Sequence, residues 1–378
     1  MAEYKIMTGN EALTHGAIAA GMRFFAGYPI TPATEIAELS SELLPKVDGT
    51  YMQMEDELAA AAAILGASVA GKKAMTATSG PGFTLMHENV GYGMATEIPC
   101  VVVDVMRQGP CQGVATLPAQ GDFMAVKWAA HGDHPVIAIA PSSVAETYTE
   151  IIRAFNLSEK YRTPVFFVSD ATLAHMSEKI RIPDASELEI VERPQPSCSV
   201  DEYLPFDMED NNIVPMANFG SGYRWFASGL THDDTGFPVK TGNTAAIEGA
   251  QRHLLGKIQD NIEDIQKWEE YKCDDAEIII LSVGLVSRSV KTAIDAAREE
   301  GIKVGLFRPI TLWPFPGKRF AELTAQAKTV MTCEMNMGQL SEVASMYTDR
   351  DQKIVAITQS DGTVIQARKI LAAIKEAK

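Results

Sequence analysis

Nucleotide-binding glycine signatures, metal-type cysteine sets and long apolar runs are all missing from this chain of 378 residues. No GxxxxGKS/T occurs, which excludes a P-loop for nucleotide phosphates. The five cysteines (Cys100, Cys111, Cys198, Cys273, Cys333) are odd in number and widely spaced, without a CxxC or another metal-ligand spacing. Neither a zinc site nor an iron–sulfur cluster is expected of this chain alone, and a reducing cytoplasm fits best. No window approaches ~18 uninterrupted apolar residues, so no membrane span is expected. The N-terminus lacks a basic stretch followed by an apolar core, so secretion is not indicated either. Basic residues are scarce: 33 against 49 acidic ones, a net charge of −16. That excess argues against nucleic acid or an anionic membrane as a partner. Internal repeats and low-complexity tracts are absent too.

What is present is the composition of a well-cored globular protein, 46% hydrophobic and 22% charged, with a length that suggests two domains. Over residues 1–190, β-rich runs at Met22–Ala26, Thr50–Gln53, Lys73–Thr78, Cys100–Val105, Val136–Ile139 and Val165–Ser169 alternate with helical patterns at 10–21, 33–44, 56–70, 83–95 and 142–160. Nearly continuous apolar strands between helices predict a doubly wound parallel α/β sheet. Residues 191–272, with Pro194, Pro196, Pro205 and Pro215 close together, read as linker closed by a short amphipathic helix at 244–270. Residues 273–378 return to α/β as a second, smaller domain, with helices expected at 287–300, 317–326 and 363–377.

Candidate site residues cluster in loops that follow strands, where open α/β sheets bind ligands. GYPITP (Gly27–Pro32) leaves a strand and enters a helix, with Thr31 placed to cap that helix or meet an anion. In QMEDELAAAAAILGASVAG, Glu57 shares a helical face with Ala60, Ala61, Ile64 and Ser68, a carboxylate at the head of a small-residue stripe. Burial of such a carboxylate requires a partner; the alternative is that Glu55, Asp56 and Glu57 decorate a helix N-terminus, favoured by the dipole. TATSGPG puts Ser79, Gly80 and Pro81 between strand and helix, where backbone N–H groups can cradle an anion. Arg107 directly follows an apolar strand and is suited to fork onto a carboxylate, or onto a neighbouring loop. His131 and His134 are candidate acid–base groups or plain loop residues, and Cys111 is a nucleophile by position only.

Taken in order, GYPITP, QMEDE with its Ala-rich helix, TSGPGFTLMHEN, PCVVVDVMR and HGDH resemble the α subunit of the 2-oxoacid:ferredoxin oxidoreductases, most of all the 2-oxoglutarate branch. FNLSEKYRTPV, GLTHDDTGFP, LFRPITLWPFP and EMNMGQL extend the resemblance over nearly the whole length. It implies a pyrimidine-type thiamine-diphosphate-binding domain followed by a transketolase C-terminal-like domain. It also implies that Glu57 activates the cofactor through the pyrimidine ring nitrogen, beside Ser79, Gly80 and Pro81 as cofactor-binding residues. Tyr28, Pro29, Ile30, Thr31 and Arg107 fall where such subunits hold the 2-oxoacid. The reaction implied is 2-oxoglutarate, CoA and oxidised ferredoxin giving succinyl-CoA, CO2 and reduced ferredoxin. The diphosphate motif GDG does not occur here, and the cysteines do not match a cluster set. The resemblance therefore implies a partner β subunit carrying the diphosphate and Mg2+ site and a [4Fe–4S] cluster, with no metal site in this chain. One departure stands out: the loop after Arg107 reads QGPCQG, where the 2-oxoglutarate branch has GGPSTG. A branched-chain or aryl 2-oxoacid, a non-catalytic α/β ligand-binding module and a self-contained transketolase are the alternatives.

Overall fold

The computed structural model describes residues 3–349 and 351–378. Its first nine strands are β1 (Glu3–Thr8), β2 (Met22–Gly27), β3 (Thr50–Gln53), β4 (Lys73–Thr78), β5 (Cys100–Gln108), β6 (Val114–Pro118), β7 (Ile137–Ile139), β8 (Pro164–Asp170) and β9 (Ser177–Ile182). Six more follow: β10 (Trp268–Tyr271), β11 (Ile278–Ser282), β12 (Val304–Pro309), β13 (Thr311–Trp313), β14 (Thr329–Glu334) and β15 (Ile354–Thr358).

The main sheet runs β13-β7-β8-β5-β4-β2-β3, with β7 through β3 mutually parallel and β6 hairpinned antiparallel onto β5. Its central strands show why a continuous apolar run is required. In β5, Val101, Val103 and Val105 pack into one helical layer while Cys100, Val102 and Met106 pack into the other. In β8, Val165 and Phe167 divide from Phe166 and Val168 in the same way. A strand clothed on both faces has no polar side, which is the signature of a doubly wound sheet. The helices Gly9–Ala19 and Val144–Tyr161 cover one face, and Glu57–Val69 and His87–Ala95 the other.

A second sheet, β10-β12-β11-β14-β15, is parallel except for the antiparallel edge strand β10. It is stitched to the first by two motifs. In LFRPITLW, the Arg308 guanidinium pairs with Glu146 and Glu269 at 2.6 and 2.7 Å, and the chain then adds β13 to the main sheet beside β7. In EMNMGQL, Asn336 donates to the Gln120 carbonyl at 2.7 Å, and Gln339 accepts from the Met124 N–H at 2.9 Å.

Several boundaries differ from the sequence expectation. The helix expected over 83–95 begins earlier and is two, Gly80–Leu85 and His87–Ala95, with Met86 between them out of helical geometry. The helix expected over 244–270 ends as Thr244–Gln259; after a short turn at Ile262–Ile265 the chain turns extended as β10. Besides β10, four strands were not foreseen. β1 pairs with β9 as a separate ribbon, while β6 and β13 are too short for periodicity to register. The proline-rich stretch is irregular but docked: Phe206, Met216 and Ala217 are buried, and Arg162 donates to the carbonyls of Pro205 and Val214. Among the described residues, no helix is long and apolar enough to cross a membrane.

Candidate functional site

Four loops leave the carboxyl ends of the adjacent strands β5, β4, β2 and β3, and they converge. This is where an open parallel sheet presents ligand-binding groups. Each loop brings one of the residues singled out from the sequence.

After β3, Asp56 accepts from the Ala59 N–H at 2.8 Å and caps the helix Glu57–Val69. The buried residues of that helix are Glu57, Ala60, Ala61, Ile64, Leu65 and Ser68, so the stripe inferred from spacing faces inward. Glu55 is exposed, whereas Glu57 is only 6% exposed. The Glu57 carboxylate accepts one hydrogen bond, a long one of 3.3 Å from the Thr78 hydroxyl. It lies against Gly82, where an added Cβ would stand 2.1 Å from Oε1 and 2.2 Å from the Thr78 Oγ1. Only glycine permits this approach, and the carboxylate is left with acceptor capacity for a ligand.

After β4, Ser79 precedes the helix Gly80–Leu85. The expected backbone cradle for an anion is not formed by this turn. The Gly80 N–H donates to Asp104 Oδ1 at 3.1 Å, the Gly82 N–H to the Ser79 carbonyl at 2.9 Å, and Pro81 has no N–H. The helix starts so soon after Ser79 that its first donors are used within the turn. The Ser79 hydroxyl is buried and has no partner in the chain.

After β2, Asn10 pins the GYPITP loop by donating to the Pro32 carbonyl at 2.9 Å. Tyr28 and Pro29 are exposed, while Ile30 and Thr31 are half-buried. Thr31 does not cap the following helix, whose N-cap Ala33 receives no side-chain bond. Instead the Thr31 carbonyl accepts from Arg107 Nη1 at 2.8 Å. Arg107, at the end of β5, is 5% exposed; its Nη2 donates to Gln112 Oε1 at 3.1 Å and its Nε has no partner. Arg107 and Thr31 are thus in contact, on the loops neighbouring the one that holds Glu57 beside Gly82.

Two acidic residues of this cluster escaped the sequence reading. Asp104, within the apolar β5, is fully buried, and burial together with nearby Asp122 pushes its carboxyl well above the usual range. Burial also pushes Asp122 up to about 6. A charge-bearing residue inside CVVVDVM was the available signal, since an acid in a strand covered on both faces needs a compensating environment. The histidines go elsewhere. His131 and His134 line a cavity of about 320 Å3 with Glu88, Tyr92 and Gln251, in which none of the four loops takes part. Cys111 is exposed at the tip of the β5–β6 loop with φ of 56°, and no histidine is bonded to it. Among the described residues, no group of three or more His, Cys, Asp or Glu side chains is gathered to hold a metal ion.

A buried carboxylate held against a glycine, a buried hydroxyl without a partner and a half-satisfied arginine leave polar capacity open to a ligand. A family model described as pyruvate flavodoxin/ferredoxin oxidoreductase, thiamine diphosphate-binding, matches residues 15–247, and one described as pyruvate:ferredoxin oxidoreductase core domain II matches residues 276–370. The chain belongs to this family of oxidoreductases, which removes the non-catalytic module and the self-contained transketolase as readings. It is 45% identical to the 2-oxoglutarate synthase subunit KorA of Methanocaldococcus jannaschii over 374 residues, 98% of this chain and 99% of that one. It is 36% identical to the ketoisovalerate oxidoreductase subunit VorB of Methanothermobacter marburgensis over 375 residues, 98% and 97% of the two chains. The solved 2-oxoglutarate:ferredoxin oxidoreductase of Magnetococcus marinus, with 2-oxoglutarate, coenzyme A and succinyl-CoA bound, superimposes with a TM-score of 0.93 at 36% identity. That match covers 99% of this chain and 65% of the other, so this chain spans about two thirds of its length.

Proposed function

We propose that this chain is the pyrimidine-side subunit of a thiamine-diphosphate-dependent enzyme that converts 2-oxoglutarate, CoA and oxidised ferredoxin reversibly to succinyl-CoA, CO2 and reduced ferredoxin. The observation that carries the reading is the placement of Glu57, nearly unpartnered against Gly82, beside the Arg107–Thr31 contact. Thiamine diphosphate, when bound, supplies the electron sink that decarboxylation of a 2-oxoacid needs. Glu57 fits the task of holding a proton at the pyrimidine ring nitrogen, because its second oxygen is free and water is largely excluded around it. Arg107 keeps an unused Nε and spends its Nη2 only on the neutral Gln112 amide, so it has donors to offer an oxoacid carboxylate. Tyr28, Pro29 and Ile30, on the same loop as Thr31, are assigned to the oxoacid side of the site, and Ser79, Gly80 and Pro81, next to Gly82, to the cofactor side.

A β subunit completes the enzyme with the diphosphate and Mg2+ site and a [4Fe–4S] cluster. The missing GDG and the five unpaired cysteines support that division, and the free thiols fit a reducing cytoplasm. Higher identity to the 2-oxoglutarate synthase subunit than to the ketoisovalerate subunit supports 2-oxoglutarate. The Cys111–Gln112 pair beside Arg107 favours a second reading, a branched-chain or aryl oxoacid on the same chemistry. The test is a panel of 2-oxoacids on the enzyme assembled with its partner, wild type against Arg107→Ala. The variant is expected to lose ~2–5 kcal/mol of transition-state stabilisation, as for a truncated buried charge. Unchanged kcat/KM for every acid would remove Arg107 from the site, and the wild-type ranking of the acids decides the substrate.

A further inference from the structure

Asp104 reaches the site from β5 and Asp122 from the turn before the helix Phe123–Lys127, so two carboxyl groups from separate elements meet beside Gly80. Asp104 Oδ1 takes the Gly80 N–H at 3.1 Å. Oδ2 of each residue is buried and receives no N–H or O–H from any other group. A Cβ built on Gly80 would stand 3.8 Å from Asp122 Oδ2, so the second carboxyl closes over the same turn as the first. The two carboxyls lie close enough to act directly on each other, and Arg107 is the cation that acts on both. Ionised carboxylates only accept hydrogen bonds, so a bond between two of them needs a proton.

We propose that Asp104 and Asp122 share one proton and form a positioning pair for the oxoacid pocket, which holds the Ser79–Pro81 turn and limits the negative charge set against Arg107. Asp104 is the protonated member. It is the more deeply buried, and its Oδ1 is occupied by the Gly80 N–H, which leaves Oδ2–H to donate to Asp122. With one proton on the pair, Arg107 and the two acids sum to zero charge, and an anionic oxoacid meets a guanidinium that is not overcompensated. With none, the sum is −1 and the pocket repels its substrate. The inference rests on the substrate reading above, because it needs an anion opposite Arg107.

The experiment uses the enzyme assembled with its partner. Infrared spectra at neutral pH are expected to show the carbonyl band of a buried protonated carboxyl in the wild type, lost in Asp104→Asn. Asparagine copies the protonated form, with an oxygen for the Gly80 N–H and an N–H for Asp122. Asp104→Asn is therefore expected to keep KM for the oxoacid within about threefold of wild type. Asp104→Ala removes both hydrogen bonds, so it frees the Ser79–Pro81 turn and Asp122 without changing the charge, and it is expected to raise KM about tenfold with kcat less affected. Absence of the band in the wild type, or equal damage from Asn and Ala, overturns the proposal. Failure of the wild type on every 2-oxoacid would instead overturn the substrate reading and leave the band readable.

Discussion

Two groups of buried carboxyls in this protein behave in opposite ways. Around Glu97, burial disfavours the charged form, yet Lys257, the His253 hydrogen bond and Arg162 outweigh it and hold the carboxyl well below the usual range. Lys257 Nζ sits 2.6 Å from one Glu97 oxygen and His253 Nε2 3.2 Å from the other. Lys257 also donates to the Arg162 carbonyl at 3.0 Å. Around Asp104, burial has little to oppose it and the carboxyls are pushed up. The first group joins the helix Thr244–Gln259 to the main sheet and pairs its charges with one another, with Arg162 Nη2 and His253 Nδ1 the atoms left over. Among the described residues, the second sets no cation in an ion pair with its acids and leaves the Ser79 hydroxyl and the Arg107 Nε without partners. Buried charge that is paired holds structure, and buried polarity left incomplete marks the place where a ligand completes it. Glu97 and Arg162 both adopt positive φ, 53° and 46°, a backbone cost of ~1–3 kcal/mol each that the ionic network must offset.

The sharpest way to test this contrast is Glu57→Gln in the assembled enzyme. Gln keeps shape and one hydrogen bond but cannot stabilise a protonated ring nitrogen. Proton exchange at the cofactor's thiazolium carbon should slow by about 10²–10⁴-fold while thermal stability is unchanged. Fast exchange in this variant together with slow exchange in Glu55→Gln would mean that the other acid faces the cofactor.

Lys257→Met is the counterpart in the paired group. It strands Glu97 in the interior, and denaturant unfolding should register a loss of about 3–5 kcal/mol. A loss below about 1 kcal/mol would show that the network does not hold the helix Thr244–Gln259 in place.

A smaller effect follows from pH. The depressed Glu97 carboxyl contributes stability that is fully present above its unfolded value of 4.5 and is lost as pH falls below it. The raised Asp122 carboxyl has the other sign: its contribution is present below 3.8 and lost as pH rises through about 6. Unfolding free energy measured from pH 3 to 7 should therefore fall less steeply on the acid side in Glu97→Gln than in the wild type. Identical acid limbs would remove Glu97 as a source of the slope.

The smallest effects are expected next to Glu57. Glu55 is exposed, and Asp56 is a helix cap whose work asparagine can do. Glu55→Gln and Asp56→Asn should each change stability and kcat by no more than a few tenths of a kcal/mol in equivalent terms. A large loss in either would extend the site beyond the helix's inward face.

Much of this was legible in the chain itself. The apolar runs of β4, β5 and β8 between helical patterns determined a doubly wound sheet, because strands covered on both faces have nowhere to put polar residues. The spacing of Glu57 with Ala60, Ala61, Ile64 and Ser68 determined which of three consecutive acids turns inward, because helical periodicity is a local property. Tertiary structure alone decided the rest. It decided that β13 leaves the second unit to pair with β7, that Gln120 and Gln339 latch the two units together, and that the Gly80 N–H serves Asp104 and not an anion. It also brought Asp122 to Asp104, and Lys257 and His253 to Glu97, over 156 residues or more in the second case. Contacts of that separation leave no periodic trace in the sequence, because they depend on where packing brings two surfaces together and not on the geometry of either element.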